Sequence, residues 1–246
     1  MRGWWQELVG LVLPVECAGC GEVRMLLCGE CREALSGART GAVRPRAEPA
    51  GLPVVQAAAA YRGAVRAVLL AHKERGALPL AGPLGRALAA AVRAGPAGGQ
   101  DGPEVVLVPV PSARRQVRAR GHDPARRIAL AASAELRRGG TAARVAPVLR
   151  QRRTVADQAG LGARERRENL AGALEVRRDG ARVAAGGRLV LVDDLITTGA
   201  TLAEAARAVR EAGLPVTAAA VVAAPAESFG TPAKGSENRS EQKSCE

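Results

Sequence analysis

Aromatic side chains are almost missing from this sequence. Its 246 residues include two tryptophans, one tyrosine and one phenylalanine. A hydrophobic core must therefore be packed mainly from alanine, valine and leucine. The shortage also argues against a surface that binds single strands of nucleic acid by stacking, because each base stacked on an aromatic ring contributes about 1–3 kcal/mol.

Long apolar runs are missing as well. The longest candidate near the start, Leu8–Leu13, is flanked by Glu7 and Glu16. It is far shorter than the roughly 20 residues that a membrane-spanning helix needs. Nothing in the sequence resembles a targeting signal. We therefore expect a soluble, cytoplasmic protein without a membrane span.

Negative charge is in short supply, and the formal net charge is +12. Most of the excess lies between Ser112 and Leu170, where fifteen arginines oppose five acids, a local net charge of +10. The planar fork of arginine makes two parallel hydrogen bonds to one oxyanion, so this stretch is suited to phosphate. A solvated basic face is the alternative interpretation.

Four of the five cysteines form two Cys-x-x-Cys pairs, Cys17 with Cys20 and Cys28 with Cys31. The segment is too short to build its own core, and Zn²⁺ in tetrahedral coordination by four thiolates would fold it. Its role would be structural, because four protein ligands leave no open position for water. Two disulfides and an iron–sulfur cluster are the alternatives. We expect Cys245, in the C-terminal tail, to be a bystander.

The rest of the chain alternates between strand and helix patterns. Strands are predicted over Val54–Tyr61, Glu104–Val108, Val145–Leu149, Leu170–Val176, Arg188–Val192 and Val216–Ala223. Helices are predicted over Gly3–Leu13, Arg62–Glu74, Ala81–Ala94, Asp123–Arg138 and Thr201–Ala212. The alternation predicts an α/β fold with a parallel sheet and helical crossovers. Asp123 is expected to cap its helix, and Thr201 with Glu204 to form a capping box.

Composition divides the chain into four parts. Residues 1–36 would hold the first helix and the zinc module, and residues 37–53 a linker rich in Gly, Pro and Arg. Residues 54–225 would form the α/β domain, and residues 226–246 a disordered tail.

The most informative run follows the clearest strand. The strand ends in Asp193 and Asp194, a turn of small and hydroxyl-bearing residues comes next, and a helix then begins. A helix start offers unpaired N–H groups and the positive end of a dipole, at the edge of an α/β sheet where ligands bind. Residues of this turn suited to holding a monophosphate are Thr197, Thr198, Gly199, Ala200 and Thr201.

The two adjacent acids repel each other unless something shares their charge. The hydroxyl groups of a vicinal diol or a bound Mg²⁺ ion would do so. Two acids after a strand are often structural when they stand alone. A phosphate cradle beside a diol clamp, however, is what a ribose 5-phosphate needs, and the whole run therefore favours a ribose-phosphate site.

Val190–Thr201 resembles the signature of type I phosphoribosyltransferases. The resemblance implies a fold of that type, with a parallel sheet flanked by helices. It also implies that 5-phosphoribosyl-1-pyrophosphate is bound together with Mg²⁺. Asp193 and Asp194 would contact the ribose hydroxyls and the Thr-rich turn would hold the 5′-phosphate.

Further motifs narrow the resemblance. Besides the cysteine pairs, they comprise Tyr61-Arg-Gly, Lys73, Val108-Pro-Val-Pro-Ser112, Arg120-Gly-His-Asp-Pro-Ala125, Arg153-Thr154, Gln158, Leu161, Arg166 and Asn169. Their order over Trp5–Ala223 resembles the ComF family of amidophosphoribosyltransferase-like competence proteins. Two positions depart from the family pattern. His122-Asp123 stands where an aromatic residue and Asn are usual, and no Phe lies near Leu174.

The resemblance implies roles for several more residues. Pro109–Pro111 lies where these enzymes have a pyrophosphate loop. Residues that would reach the pyrophosphate or a nucleic-acid phosphate are Arg114, Arg115, Arg118 and Arg120. Residues of a flexible loop that would close over the substrate are Arg153, Thr154, Gln158, Arg166 and Asn169. Lys73 is either a phosphate contact or a surface residue, and His122 either a functional or a packing residue.

Three functions compete at this point. The first is an enzyme that transfers a phosphoribosyl group to or from a nitrogen base, a pentosyl glycosyltransferase. The second is a DNA-uptake protein of the ComF type that binds single-stranded DNA and uses the ribose-phosphate site for binding alone. The third is a scaffold with a vestigial site, against which the intact Asp193–Thr201 run argues. The sequence identifies no general acid or base.

Overall fold

The computed structural model describes residues 16–36, 40–99, 102–153 and 170–230. Its strands are β1 Gly41–Val43, β2 Val55–Ala60, β3 Val105–Pro109, β4 Ala143–Val145, β5 Leu149–Gln151, β6 Leu174–Val176, β7 Arg188–Leu195 and β8 Ala218–Ala224. Its helices are α1 Gly29–Leu35, α2 Gly63–Glu74, α3 Ala81–Ala94, α4 Arg114–Arg120, α5 Pro124–Arg138, α6 Gly180–Ala184 and α7 Ala200–Glu211. Short 3₁₀ turns cover Leu78–Leu80 and Ala226–Ser228.

Six of these strands form one sheet in the order β1-β2-β8-β7-β3-β4. All neighbours are parallel except β1, which is antiparallel to β2. The strands β5 and β6 form a separate antiparallel ribbon. The predicted α/β fold with a mostly parallel, helix-flanked sheet is confirmed, and β7 lies in its middle.

Alternating side chains of β7 build two cores, one on each face of the sheet. Val190 and Val192 face the core that contains α2, α3, α5 and the cysteine segment. Leu189 and Leu191 face the other core, against α7, α6 and the β5–β6 ribbon. This is the two-sided burial expected of a central parallel strand.

Alanine fills much of the buried core of the described residues, in which aromatic residues are nearly absent. The sheet strands β2 and β8 are fully buried, and most of their residues are alanine. Small residues also let helices approach closely. A Cβ added to Gly85 of α3 would lie 2.4 Å from the Cβ of Ala131 in α5, so that contact requires glycine.

Most predicted elements form within one or two residues of their expected ends, and α3 matches fully. Asp123 caps α5 as expected, with its Oδ1 accepting a hydrogen bond of 3.1 Å from the N–H of Arg126. The single strand predicted over Val145–Leu149 is wrong. The chain turns between β4 and β5, and Val148 donates its N–H to the carbonyl of Ala146.

The predicted capping box at Thr201 and Glu204 is also wrong. The N-cap of α7 is Gly199, which has no side chain to offer, and Glu204 instead hydrogen-bonds to Leu174. The stretches expected to be linker and tail carry structure at two points. β1 lies at the sheet edge, and Phe229 forms an isolated bridge to Val43.

The predicted helix over Gly3–Leu13 lies outside the described residues. In the part of the chain that the structure covers, no helix combines the length and the apolar character needed to cross a membrane.

Candidate functional site

The acid pair lies at the carboxyl end of β7, near the centre of the sheet. Asp194 is buried and its Oδ2 is 2.7 Å from Nζ of Lys73, at the end of α2. The N–H of Asp194 donates a 2.8 Å hydrogen bond to Oδ1 of Asp193. Lys73 was predicted to be a phosphate contact or a surface residue, and the structure pairs it with Asp194.

The electrostatics of the pair are unbalanced. Burial raises the pKa of Asp193 well above its usual range, and the neighbouring Asp194 carboxylate raises it further, while Lys73 opposes both. Burial lowers the pKa of Lys73, but the Asp194 and Asp193 carboxylates outweigh it, so this pKa is raised. The single ammonium group of Lys73 therefore balances the charge of both carboxylates only in part. Carboxylate oxygens are the ligands that Mg²⁺ prefers, so the pair fits a divalent cation or the hydroxyls of a diol.

The turn after the acid pair depends on Gly199. Its φ is +75°, in the left-handed region that favours glycine. A Cβ at this position would also lie 3.1–3.3 Å from side-chain atoms of Leu52, Pro45 and Pro49. The stretch between β1 and β2 therefore forms a wall along this turn, a contact that composition alone did not predict.

The start of α7 is open to an anion. Among the described residues, no side chain caps this helix at its N-cap Gly199, so the N–H groups of its first turn after Ala200 are available for a ligand at the carboxyl end of the sheet. The hydroxyl of Thr198 is 3.4 Å from the N–H of Ala200. Thr197 is exposed and Thr201 is half-buried. The structure therefore places the five predicted phosphate-binding residues at one helix start, two residues after the acid pair.

The four arginines predicted to bind phosphate do not act as one group. Arg120 makes two hydrogen bonds, of 2.6 and 3.0 Å, to the carboxylate of Glu74 at the end of α2. Arg114, Arg115 and Arg118 are exposed on α4. Arg120 is therefore engaged within the protein, and only the other three present their guanidinium groups to solvent.

Two of these arginines line a cavity of about 260 Å³ between α4 and the β5–β6 ribbon. Its lining residues are Pro111, Ser112, Arg114, Val117, Arg118, Asp123, Leu149, Arg150, Gln151 and Arg177. Four arginines thus line one small space together with Asp123, and one of them, Arg150, also pairs with Glu175 at 2.9 Å. Arg150 and Arg177, which come from β5 and from just beyond β6, were not among the predicted site residues.

His122 is a packing residue in this structure. It is buried, and its ring nitrogens lie 3.1 Å from the carbonyl oxygens of Arg120 and His72. The rings of His72 and His122 meet edge to face, with their centroids 5.4 Å apart. The Arg120–His122 motif thus joins the end of α2 to the connection between α4 and α5.

The predicted flexible loop is only partly described. Arg153 donates a hydrogen bond of 3.0 Å to the carbonyl of Ala171. The other predicted loop residues, Thr154, Gln158, Arg166 and Asn169, lie outside the described residues.

A further polar cluster on α7 was not predicted. The buried Glu204 accepts a 3.0 Å hydrogen bond from the N–H of Leu174 and two from Arg207, of 2.7 and 2.8 Å. Arg207 in turn donates to the carbonyl of Leu174 at 2.9 Å. The helix that begins at the phosphate-binding turn therefore holds the β5–β6 ribbon by its backbone. The available signal was the spacing of Glu204 and Arg207, three residues apart on one predicted helix, which favours an ion pair.

The four cysteines of the two pairs do converge. Their sulfur atoms all lie within 4.8 Å of one another, with Cys20 exposed and the other three buried. Gly19 is required there, since a Cβ would lie 2.5 Å from Sγ of Cys31. Four sulfurs at this spacing fit a tetrahedral metal such as zinc.

The cysteine thiols differ in acidity. Burial disfavours the thiolate of Cys17, but backbone hydrogen bonds, first that of Cys28, lower its pKa to about 6. Burial raises the pKa of Cys31, and the neighbouring thiols raise it further. A bound cation would hold all four as thiolates, because metal ligation displaces their protons.

No protein-family model matches this chain. A segment of 49 residues is 53% identical to adenine phosphoribosyltransferases of Mycobacterium avium and Mycolicibacterium paratuberculosis. The segment covers 20% of this chain and 27% of each relative, so the chain spans about a quarter of the length of the curated relatives it matches. This partial similarity supports a phosphoribosyltransferase-like function.

Proposed function

We propose that this protein binds 5-phosphoribosyl-1-pyrophosphate with Mg²⁺ at the carboxyl end of β7 and transfers the phosphoribosyl group to or from a nitrogen base. One observation carries the proposal. The acid pair and an uncapped helix start follow each other on the single β7–α7 unit, joined by the left-handed Gly199. The similarity of 49 residues to adenine phosphoribosyltransferases also supports it.

Each part of the site has its own task in this proposal. Asp193 and Asp194 accept hydrogen bonds from the ribose hydroxyls, which fixes the ring. The first-turn N–H groups of α7 and the hydroxyls of Thr197, Thr198 and Thr201 hold the 5′-phosphate. Mg²⁺, when bound, neutralises charge on the pyrophosphate and the carboxylates.

In the transfer, a bond forms between C1 of the ribose and a nitrogen of the base, which gives up its proton to solvent, while the bond from C1 to the pyrophosphate oxygen breaks. The pyrophosphate leaves with the electron pair of that bond, so negative charge grows on it. The guanidinium groups of Arg114 and Arg118, in the cavity beside Pro111, are suited to stabilise that charge. Positioning and charge stabilisation would then supply most of the catalysis.

The first experiment is calorimetric titration with 5-phosphoribosyl-1-pyrophosphate and Mg²⁺. The wild type should bind, and the double variant Asp193→Asn/Asp194→Asn should not. The variant Asp179→Asn, which removes an exposed acid elsewhere, is the matched control and should bind normally. Binding retained by the double variant, or missing from the wild type, would refute the assignment.

Turnover is tested next with adenine, because the relatives of the matched segment are adenine phosphoribosyltransferases. Release of pyrophosphate that depends on adenine and disappears in the double variant would establish the transfer. Binding without turnover on any nitrogen base would leave a ribose-phosphate binding protein.

The arginine-lined cavity favours a second candidate function. In a ComF-type DNA-uptake protein, the backbone of single-stranded DNA would bind to Arg114, Arg118, Arg150 and Arg177. An oligonucleotide should then bind with strong salt dependence, and Arg114→Ala/Arg118→Ala should weaken it while Arg115→Ala, outside the cavity lining, does so less. Equal loss in both variants, or no binding in the wild type, would exclude this role for the cavity.

We also propose that the cysteine cluster holds one structural zinc ion. Metal analysis of the purified protein should find one zinc per chain. Cys17→Ser should lower that content and destabilise the segment around α1, whereas Cys245→Ser, as the control, should keep it. Iron in place of zinc, or a full metal content in Cys17→Ser, would contradict the proposal.

A further inference from the structure

Lys73 occupies the place where a ligand of the acid pair is expected. Its Nζ is 2.7 Å from Oδ2 of Asp194, and the Asp194 side chain is only 9% exposed. The pair joins residues far apart in the chain, and Lys73 is the only lysine among the residues that the structure describes. The cation is therefore brought to the acid pair by the fold.

The last turn of α2 is held in place on both sides of Lys73. The carbonyl of His72 lies 3.1 Å from Nε2 of His122, and Glu74 binds the guanidinium group of Arg120. Arg120 is the last residue of α4, and His122 lies in the connection between α4 and α5. Three consecutive residues of α2 thus make contacts with other elements, and the two outer contacts hold the backbone of Lys73 in place.

The same carboxylate oxygen cannot serve two cations at full strength. Asp194 Oδ2 is engaged by the ammonium, and a divalent cation that bound Asp194 would have to displace it or share the oxygen against charge repulsion. The four-carbon stem of lysine lets the ammonium move away from the pair without moving the helix. Lys73 is one-third exposed, so it has room to do so.

We propose that Lys73 is a resident counter-ion of the acid pair, which occupies Asp194 in the ligand-free protein and is released when a divalent cation or the ribose hydroxyls bind there. This rests on the proposed function, because it concerns the same two carboxylates. It predicts that the free protein binds divalent cations weakly and that a phosphate-bearing substrate, by attracting the ammonium, strengthens that binding.

The test is the affinity for Mn²⁺ alone, measured by electron paramagnetic resonance of the free ion. Lys73→Met should bind Mn²⁺ about 10-fold more tightly than the wild type, in line with the effect of a nearby opposite charge on a carboxylate. Lys73→Gln keeps a hydrogen-bond donor without the charge and should behave similarly. Arg66→Met removes an exposed positive charge from the same helix and should leave the affinity unchanged.

Thermal unfolding and zinc content are recorded for every variant, so that a folding defect is recognised. If Lys73→Met does not fold, the Lys73→Gln result decides. Equal Mn²⁺ affinity in the wild type and both lysine variants would overturn the counter-ion role. An increase of the same size in Arg66→Met would also overturn it, because general charge would then be the cause.

Titration with 5-phosphoribosyl-1-pyrophosphate and Mg²⁺ separates this inference from the proposed function. Normal substrate binding in a protein whose lysine variants show no gain in Mn²⁺ affinity would overturn the inference and keep the function. Substrate binding lost in Lys73→Met without any gain for Mn²⁺ would make Lys73 a direct ligand contact and overturn it as well. No binding of substrate or Mn²⁺ to any variant would refute both.

Discussion

Two carboxyl groups of the β7–α7 unit have opposite surroundings. Glu204 is buried, and although burial alone would raise its pKa, hydrogen bonds from Arg207 and from the N–H of Leu174 lower it below the usual value. Asp193 has its pKa raised by burial and then by Asp194, and the single ammonium of Lys73 does not offset this. The protein provides a full set of partners for one acid and not for the other.

The difference in their partners indicates that Glu204 has a structural role and that Asp193 has a functional one. A buried carboxylate that has its own guanidinium and backbone donors stabilises the fold and needs nothing further. A carboxylate whose charged form is disfavoured costs free energy in the free protein, and a ligand that supplies charge or hydrogen bonds recovers it. Perturbed acids of this second kind are concentrated at functional sites.

The largest effect is expected from Glu204→Ala. It removes the partner of Arg207 and leaves the N–H of Leu174 without its acceptor, so the free energy of unfolding should fall by about 3 kcal/mol. Urea unfolding at neutral pH measures this. A loss of unfolding free energy below about 0.5 kcal/mol is usual for a surface change and would show that Glu204 does not stabilise the fold.

A change of opposite sign is expected for Asp193→Asn. The amide keeps the oxygen that accepts from the N–H of Asp194 and removes the disfavoured charge. The free energy of unfolding should rise by about 1 kcal/mol, while ribose-phosphate binding is lost. Asp179→Asn is the control on an exposed acid. A destabilised Asp193→Asn would show that its charge is satisfied in the free protein.

Replacing Asp193 and replacing Glu204 should change the free energy of unfolding with opposite dependence on pH. Because the folded pKa of Asp193 is raised, its contribution to stability is present below the unfolded value of about 3.9 and is lost as pH rises through the folded value. The advantage of Asp193→Asn over the wild type should therefore grow over that interval.

The folded pKa of Glu204 is lowered instead. Its contribution is present above the unfolded value of about 4.3 and is lost as pH falls through the folded value. The cost of Glu204→Gln should therefore be full at neutral pH and shrink in acid. Unfolding series from about pH 2 to 8 measure both trends, and parallel curves would contradict the comparison.

The smallest effect is expected for Glu211→Gln. Glu211 also pairs with Arg207, but its side chain is 68% exposed. Solvent screens such a pair, so Glu211→Gln should change the free energy of unfolding by less than about 0.5 kcal/mol. Because Glu204 and Glu211 share one arginine, the two variants together show how much burial contributes. If Glu211→Gln lowered the free energy of unfolding as much as Glu204→Ala does, the contact with Arg207, and not burial of the acid, would determine the stabilisation.

Local patterns predicted the sheet and the helix ends well where the physics is local. The strand before Asp193, the Asp123 cap and the end of α3 all follow from side-chain periodicity and capping chemistry within a few residues. The convergence of the four cysteines also followed from their spacing alone.

Contacts between distant segments could not be predicted in this way. Glu204 looked like the partner of Thr201 because a capping box is a local pattern, but the backbone of Leu174 offers a stronger, buried interaction. The pairing of Lys73 with Asp194 and the separation of Arg120 from Arg114 depend on where α2 ends in space. No window of the sequence contains both partners of these contacts.

Because the backbone N–H of Leu174 is hydrogen-bonded to Glu204, this amide reports on the stability of α7. Its hydrogen is donated to a side chain of α7, so it can exchange with solvent deuterium only when the ribbon and the helix separate locally. A ligand that stabilises the first turn of α7 should slow this exchange although it touches neither residue. The exchange rate at Leu174 would then follow occupancy of the site from a distance.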